Sequence, residues 1–483
     1  MGSLRLSLAL SFAQRYSEFA LRVVATIAIA RLLTPTEIGA FAVVAAVAAV
    51  AQLLCGFGVQ GFLVQARELP RSLTEAAAGL TVTASLTLGA IFALAAAIAP
   101  SLPGGATLAP LILILAVALA LIGPAVPALG LLQRDMRFGA LYWAGTARAA
   151  TSAAVAIGLA AAGAGPASLA WACVAENLAL LLVCSAQARP LVRPRFAPRQ
   201  WPEMVRFGGY TTANSAMKMA GDAAPGIAAG HVLGLAATGL LSRAQALIGM
   251  FDQAVVQGLA PVLMPFLADR VRRGDDLGPS YVAKTSMLSG LAWPAFAAIA
   301  LTAPALLRVL LGSQWDAAAL PARILCLSGL VLPFNAANLG FFVALGLLPT
   351  HTRRQAAVQF AKMGAVVAAA AAGLEAIAAT IVAAEFVRFA VAQHLLTKHL
   401  SYSGTRLGPT LLRSAAVTAA TAGAVWAAQL GTAGAAPWLE LVVASLAGAT
   451  TWTAAIVMVG HPLRVELYRL IGYARGRSLR AAS

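Results

Sequence analysis

Apolar runs of about 20 residues or more recur from one end of this 483-residue chain to the other. A run of that length crosses the ~30 Å hydrocarbon core of a bilayer when it is helical. Dividing the chain at its polar turns gives fourteen runs, at residues 9–31, 37–63, 76–99, 107–131, 140–162, 165–187, 207–233, 236–267, 284–311, 318–347, 354–374, 376–396, 411–430 and 438–460. The sequence therefore predicts an all-α polytopic membrane protein with about 14 transmembrane helices.

The composition agrees with a chain that lies mostly in lipid. Hydrophobic residues make up 60% of it and charged residues only 11%, whereas a soluble domain has roughly 25% charged residues. The net charge of +17 would suggest nucleic acid in a soluble protein. Here the basic residues lie mostly in short loops, so membrane topology and anionic lipid headgroups explain them, and no nucleic-acid partner is predicted.

The loops that follow even-numbered runs hold most of the arginines and lysines, and the loop at 188–206 is the most basic of them. The loops after odd-numbered runs offer Arg31 and, near their edges, Arg308 and Arg323. Because positively charged loops stay in the cytoplasm, this alternation predicts that both termini are cytoplasmic.

A weak internal repeat divides the chain into two halves. Shifting the sequence by 200 residues superposes Gly39 on Gly239 and the first apolar run on the seventh. We therefore predict two parallel six-helix lobes, at 1–187 and 207–400, joined by a cytoplasmic basic linker at 188–206. Residues 401–483 supply two further helices and a basic cytoplasmic tail.

Charged residues lie within the first and seventh runs, where charge is costly. Arg15, Glu18 and Arg22 share one face of a helix, and the shift of 200 superposes Glu18 on Lys218 and Arg22 on Asp222. Such charges usually face a bundle interior or a watery cavity. Two arrangements remain open. Glu18 pairs with Arg22 and Lys218 with Asp222 along each helix, or Arg22 meets Asp222 and Glu18 meets Lys218 across a cavity.

Other charged residues in apolar runs have plainer expectations. Lys284 and Lys362 are predicted to extend their amines to the cytoplasmic interface. Glu385 and Arg388 are three residues apart on one helix and are predicted to pair. Arg243 opens the eighth run and is kept as a candidate site residue.

Several chemistries are not indicated. The segment GFGVQG at 56–61 has the spacing of a dinucleotide loop, but it follows a membrane helix rather than a strand. Neither a P-loop nor a metal-ligand spacing occurs, so no cofactor or metal is predicted. No loop reaches the ~50 residues of a typical catalytic domain, and we therefore predict that the protein is not an enzyme.

Four segments carry a family resemblance, in the right order along nearly the whole chain: ARLLTPTEIGAFAVVAAVAAVAQLLCGFGVQGFLVQ, LLQRDMRFGALYW, TGLLSRAQALIGMFDQAVVQGLAPVLMPFLADR and LLGSQWDAAALPARILCLSGL. They resemble the polysaccharide-transport (oligosaccharide) flippases of the multidrug/oligosaccharidyl-lipid/polysaccharide (MOP) superfamily.

The resemblance implies that the two lobes form a V around a central cavity. It implies flipping of an undecaprenyl-diphosphate-linked oligosaccharide from the cytoplasmic to the periplasmic leaflet of a bacterial inner membrane, for exopolysaccharide, capsule or O-antigen synthesis. Membrane lipids, a glycan polymerase and export machinery are the further partners that it suggests.

In such flippases a cationic cavity holds the lipid diphosphate, and the matching residues here are Arg15, Arg22, Lys218 and Arg243. Glu18 and Asp222 depart from that pattern, because they partly neutralise the cluster. We expect them to hold the cations as gating ion pairs until the diphosphate arrives.

Two other carriers fit the same pattern of helices. The first is a cation-coupled exporter of small molecules in the same superfamily, with Glu18, Asp222 or Asp252 as the coupling carboxylate. The second is a fourteen-helix major-facilitator carrier, but the basic motif expected between its second and third helices is missing from ARELPRSL.

Overall fold

A computed structural model describes the chain at residues 2–101, 105–187, 193–256, 267, 269–273, 275–336, 338–400, 404–465 and 467–468. Over these ranges the chain is helical and contains no strand. The helices are α1 Gly2–Leu32, α2 Pro35–Gly56, α3 Val59–Gln65, α4 Arg71–Ile98, α5 Gly105–Arg134, α6 Phe138–Ala161, α7 Ala167–Gln187, α8 Trp201–Val232, α9 Leu235–Phe251, α10 Gly278–Leu310, α11 Ala319–Cys326, α12 Leu332–Asn335, α13 Asn338–Ala344, α14 Leu348–Ala370, α15 Leu374–Thr397, α16 Gly404–Gly431 and α17 Pro437–Met458.

The all-α polytopic fold predicted from the apolar runs is confirmed. Thirteen of the fourteen runs coincide with a long helix or, at 37–63 and 318–347, with a helix that is broken into shorter pieces, and the run at 236–267 begins as helix α9 and is described only to residue 256 before residue 267. In the described part of the chain, seven helices are long and apolar enough to cross a membrane, and a pair bent by 53° near Val331 would make eight. Fourteen crossings therefore stay a prediction.

The start of α2 shows how the sequence sets a helix boundary. Thr34 Oγ1 accepts a hydrogen bond from the Glu37 backbone N–H (3.3 Å), and Glu37 Oε2 accepts one from the Thr34 backbone N–H (2.8 Å). Pro35 occupies the first turn, where a missing N–H costs nothing. This capping box ends the polar turn between the first two apolar runs.

The glycine-rich segment at 56–61 is a helix break rather than a loop that holds a nucleotide. Phe57 (φ 38°) and Gly58 (φ 68°) are in the left-handed region, and they separate α2 from α3. A Cβ on Gly58 would lie 2.5 Å from Cα of Gly208. Glycine is therefore needed here both for its dihedral angle and for the close approach of α8.

The chain forms two compact units. Unit 1 contains residues 1–242 and 359–374, and unit 2 contains residues 243–358 and 375–483. The predicted lobes at 1–187 and 207–400 divide the chain differently along its length and stay a prediction. The beginning of the linker (188–192) and nearly all of the basic tail (469–483) lie outside the described residues.

Within unit 1, the starts of α2 and α9 touch through a reciprocal contact. A Cβ on Gly39 would overlap the carbonyl oxygen of Leu235, and a Cβ on Gly239 would overlap the carbonyl oxygen of Pro35. Pro35 and Leu235, like Gly39 and Gly239, are 200 residues apart. The same shift that relates the two halves in sequence therefore relates the two sides of this contact.

The described part of the linker docks on α4 within the same unit. Arg195 donates its backbone N–H to the Glu75 carbonyl (2.9 Å), and Trp201 donates its indole N–H to the Ala76 carbonyl (3.2 Å). Gly79 allows the linker to approach α4 this closely, since a Cβ there would overlap the Arg195 carbonyl.

Candidate functional site

The principal charged cluster of unit 1 is built around Asp222, about two thirds of the way along α8. Lys218, one helical turn earlier, donates to Asp222 Oδ2 at 3.2 Å. Lys362, which comes from α14, donates to Asp222 Oδ1 at 3.1 Å. One carboxylate thus bridges two ammonium groups, and we name Lys218, Asp222 and Lys362 the lysine–aspartate triad.

The triad is open on one side and closed on the other. The side chains of Lys218 and Asp222 are 59% and 51% exposed, whereas that of Lys362 is 6% exposed. The triad carries a net charge of +1. A negatively charged group can therefore approach Asp222 and Lys218 from outside and find a third, buried charge behind them.

A glycine on α8 brings α14 close enough for this contact. A Cβ on Gly221 would lie 2.7 Å from Gln359 Oε1, and Gln359 is a buried side chain. Gln359 and Lys362 are three residues apart and share one face of α14. The side chain of Lys362 is consequently directed at Asp222, and the position of its amine relative to the membrane interface stays a prediction.

The charges of α1 are arranged differently from either expectation. Glu18 accepts a hydrogen bond from Gln14 Nε2 at 2.8 Å, and Gly145 of α6 leaves room for both side chains. Arg15 is half-buried and Arg22 is exposed. Among these described side chains, Glu18 and Arg22 form no ion pair.

Of the six site residues predicted from sequence, the structure joins Lys218 to Asp222. Ion pairs between Arg22 and Asp222, or between Glu18 and Lys218, do not occur among the described side chains. Arg243 belongs to unit 2, is half-buried, and has an Nε–H without a hydrogen-bond acceptor in the described part of the chain.

Lys362 was not selected from the sequence, although a signal was present. It lies eight residues beyond Arg354, the last basic residue before the apolar run. Eight helical residues span about 12 Å, which is too deep for easy solvation at the interface. The identity of its partner was not visible, because Asp222 is 140 residues away.

A second ion pair in unit 1 joins Arg148 of α6 to Glu176 of α7, and Glu176 also accepts a hydrogen bond from Ser152 Oγ (3.2 Å). In unit 2, Glu385 pairs with Arg388 as predicted. None of these contacts includes a residue of the triad, and we assign them to holding neighbouring parts of the helices together.

Unit 2 also contains an apolar cavity of about 350 Å³ between α10, α16 and α17. Trp452 is part of its wall and donates its indole N–H to the Gly290 carbonyl at 2.9 Å. The rest of the lining is aliphatic or small, with Leu291, Pro294, Val425 and Ala444 among its residues.

Solved structures with this fold are membrane transporters and flippases. The chain matches the lipid II flippase MurJ in an inward closed conformation with a TM-score of 0.75 and 10% identity, over 96% of this chain and 99% of that one. It matches a MOP superfamily transporter from Pyrococcus furiosus with a TM-score of 0.55 and 14% identity, over 84% and 96% of the two chains. The eukaryotic MATE transporter AtDTX14 gives a TM-score of 0.54 and 14% identity, over 86% and 100%.

At such low identity these matches establish the fold alone, and no curated protein matches the sequence. The long apolar helices define a multi-pass membrane protein, and its fold is the one that these transporters share. Residues 28–320, more than half of the chain, match the model of the family described as "Polysaccharide biosynthesis protein". The chain belongs to this family, which confirms the resemblance found in the sequence.

Proposed function

We propose that this protein flips an undecaprenyl-diphosphate-linked oligosaccharide from the cytoplasmic to the periplasmic leaflet of a bacterial inner membrane. The family is described as "Polysaccharide biosynthesis protein". A solved structure that shares the fold over nearly the whole chain is named a lipid II flippase. Both support a lipid-linked glycan as the cargo.

The observation that carries the proposal is the lysine–aspartate triad. Charge-assisted hydrogen bonds from lysine to phosphate oxygens are strong, and a diphosphate offers several such oxygens within a few ångströms. Lys218 and Lys362 already converge on the two oxygens of one carboxylate. A diphosphate that replaced this carboxylate would engage the same two ammonium groups.

The burial of Lys362 makes the exchange conditional on the substrate. A buried charge that loses its partner is strongly destabilised, unless another group of opposite charge takes that partner's place. Asp222 therefore leaves Lys362 only as an anion arrives. Arg15, Arg22 and Arg243 are proposed to add cationic contacts for the diphosphate, and Glu18 is proposed to hold a cation in the resting state.

Transport then proceeds by alternating access, in which the two six-helix lobes at 1–187 and 207–400 rock while the diphosphate stays on the triad. The glycan passes through the central cavity that the family resemblance implies, and the prenyl chain remains in lipid. The parallel repeat of the sequence supports this motion.

The test is a deletion of the gene, together with any second homologous copy, followed by complementation with variants. Cell-surface polysaccharide and the lipid-linked oligosaccharide retained inside the cell are both measured. We expect the deletion to abolish the surface polymer and to accumulate the intact lipid-linked unit. The wild-type gene and Lys398→Met, a matched change at an exposed lysine, restore the polymer, whereas Lys362→Met does not.

An unchanged surface polymer and lipid-linked pool in the deletion strain would contradict the proposal. A changed susceptibility to toxic small molecules in the same strain would then favour the cation-coupled exporter. Restoration of the polymer by Lys362→Met at wild-type levels would leave the flippase function in place and remove the triad from it.

A further inference from the structure

Unit 2 contains another lysine that is buried within an apolar helix, and among the described residues it forms no ion pair. Lys284 lies in the second turn of α10 and is 7% exposed. Its amine lies 2.9 Å from Asn338 Oδ1, 3.0 Å from the Ala336 carbonyl oxygen and 3.5 Å from the Phe334 carbonyl oxygen. An ammonium group has three N–H donors, so each donor meets one oxygen.

The two carbonyl oxygens come from a break in the tenth apolar run. Helix α12 ends at Asn335, Ala336 is extended (φ −65°, ψ 136°), and α13 begins at Asn338. The last carbonyls of a helix have no partner within it and carry its partial negative charge. A helix break inside an apolar segment must satisfy these oxygens by other means.

Aromatic rings complete the enclosure. The Lys284 amine lies 4.5 Å from the ring centre of Tyr281 and 5.6 Å from that of Phe341. Both rings are fully buried, and they pack edge to face. The face of an aromatic ring attracts a cation within about 6 Å. The amine is thus surrounded by neutral oxygens and by π-electron density.

Neutral oxygens from backbone and amide groups, together with aromatic faces, suit a monovalent cation such as ammonium or K⁺. The described side chains place no carboxylate within 4.0 Å of the Lys284 amine. We propose that this is a site for a monovalent cation of the ammonium class, and that Lys284 is its covalently attached occupant.

A tethered occupant differs from a diffusible ion in one respect. It cannot dissociate, so the two short helices α12 and α13 keep their arrangement at any concentration of Na⁺ or K⁺. Lys284 is accordingly a positioning residue, and the site is independent of the proposed diphosphate exchange at the triad in unit 1.

The experiment removes the tether and supplies the cation from solution. Full-length Lys284→Ala is purified in detergent, and its Tm is measured against increasing ammonium chloride, methylammonium chloride and potassium chloride, with choline chloride as the control for ionic strength. We expect a Tm below that of the wild type in choline chloride. Ammonium or methylammonium then recovers most of the lost Tm in a saturable manner, while the Tm of the wild type does not change.

Lys362→Ala is the matched control, because Lys362 is equally buried but faces a carboxylate that is half exposed to solvent. Its Tm should show no saturable recovery with ammonium. A Lys284→Ala protein as stable as the wild type, or one without any specific response to small cations, would overturn the proposal.

A measurement on the wild type keeps the proposal testable if Lys284→Ala does not fold. Solid-state NMR of protein labelled at lysine ¹⁵Nζ and alanine ¹³C′ should give a cross peak between Lys284 Nζ and the Ala336 carbonyl carbon. The Nζ chemical shift should be that of an ammonium group. A missing cross peak, or the chemical shift of a neutral amine, would exclude a resident cation.

Discussion

Lys362 in unit 1 and Lys284 in unit 2 look alike in the sequence and differ in the structure. Each is a single lysine within an apolar run, Lys284 in the second turn of α10 and Lys362 just beyond the middle of α14, and each is 7% exposed. Lys362 faces Asp222, a charged partner that is itself half exposed and shared with Lys218. Lys284 faces backbone and amide oxygens that carry no net charge.

The difference lies in the partner rather than in the lysine. A carboxylate that another anion can reach is exchangeable, so Lys362 suits a site that binds and releases. The carbonyls of a helix break cannot leave, so Lys284 suits a permanent structural contact. A buried cation in an apolar helix is therefore classified by what the neighbouring helix offers it.

Reversing the charge of Lys362 should have the largest effect on stability among the variants considered. Lys362→Asp places a second carboxylate beside Asp222, and breaking such a buried pair costs about 3–5 kcal/mol. We expect a marked fall of the Tm and no flipping. The double variant Lys362→Asp with Asp222→Lys restores the opposite charges and should recover most of the stability. A double variant no more stable than the weaker single variant would mean that the two groups do not interact.

An analogous reversal tests whether the helices that carry the first and seventh apolar runs exchange partners during transport. Arg22 and Asp222 do not touch in this structure, so Arg22→Asp is expected to impair flipping without lowering the Tm of the resting state. Asp222→Arg also breaks the pair with Lys362 and should lower the Tm as well. The double reversal should restore more polymer on the cell surface than either single change. Equal impairment in all three strains would remove the pairing of Arg22 with Asp222.

Neutralising the carboxylate should shift binding and turnover in opposite directions. Asp222→Asn leaves both lysines of the triad without a counter-charge, and the exposed pair of Asp222 with Lys218 alone is worth ~0.2–1 kcal/mol. The affinity for a prenyl diphosphate in nanodiscs should therefore rise by about 1.5- to 5-fold, while flipping slows because release is impeded. Asp275→Asn, which changes an exposed pair with Arg270, is the control and should change neither quantity.

Widening the gap between α8 and α14 should weaken the contact between Lys362 and Asp222 without changing any charge. Gly221→Ala directs a methyl group against buried Gln359, and overpacking of this kind costs about 1–3 kcal/mol. The Tm should fall and complementation should weaken. Gly226→Ala on the same helix meets only Thr238 Cγ2 at 3.7 Å and should be close to neutral. Equal effects of the two substitutions would show that the close approach at Gly221 does not matter.

How much of this arrangement the sequence reveals depends on how far apart the partners are along the chain. The helices follow from the length of the apolar runs, and the pairs Lys218–Asp222 and Glu385–Arg388 follow from spacings of four and three. Glu18 and Arg22 have the same spacing, yet Gln14 on the preceding turn binds Glu18 instead. The partners of Lys362 and Lys284 are 140 and 50 or more residues away, and backbone carbonyls have no sequence signature.

The smallest expected effect on stability comes from His461, a fully buried histidine. Unlike the two buried lysines, it is a neutral group. His461, beyond the end of α17, accepts a hydrogen bond at Nδ1 from the Leu463 backbone N–H (3.2 Å), so its Nε2–H is directed at Ser414 Oγ (2.9 Å). Burial, and secondarily the charge of Arg413, lowers the pKa of His461 below its usual value.

Because the folded-state pKa of His461 is the lower one, the unfolded chain takes up the proton first as the pH falls. The contribution of His461 to stability is fully present above about pH 6.5 and is lost progressively below it, by at most ~1.4 kcal/mol per pH unit. The Tm of the wild type should therefore decline gently below that pH, and His461→Gln should flatten the decline. The same slope in both proteins would assign it to other groups.

The reciprocal contact between the starts of α2 and α9 has a consequence for the origin of the chain. Gly39 meets Leu235 as Gly239 meets Pro35, which is the pattern of a two-fold interface between identical subunits. Such a surface is complementary to itself. A half-length ancestor could have used it to form a homodimer, and a gene duplication that fused the two copies would have inherited the interface without a new substitution.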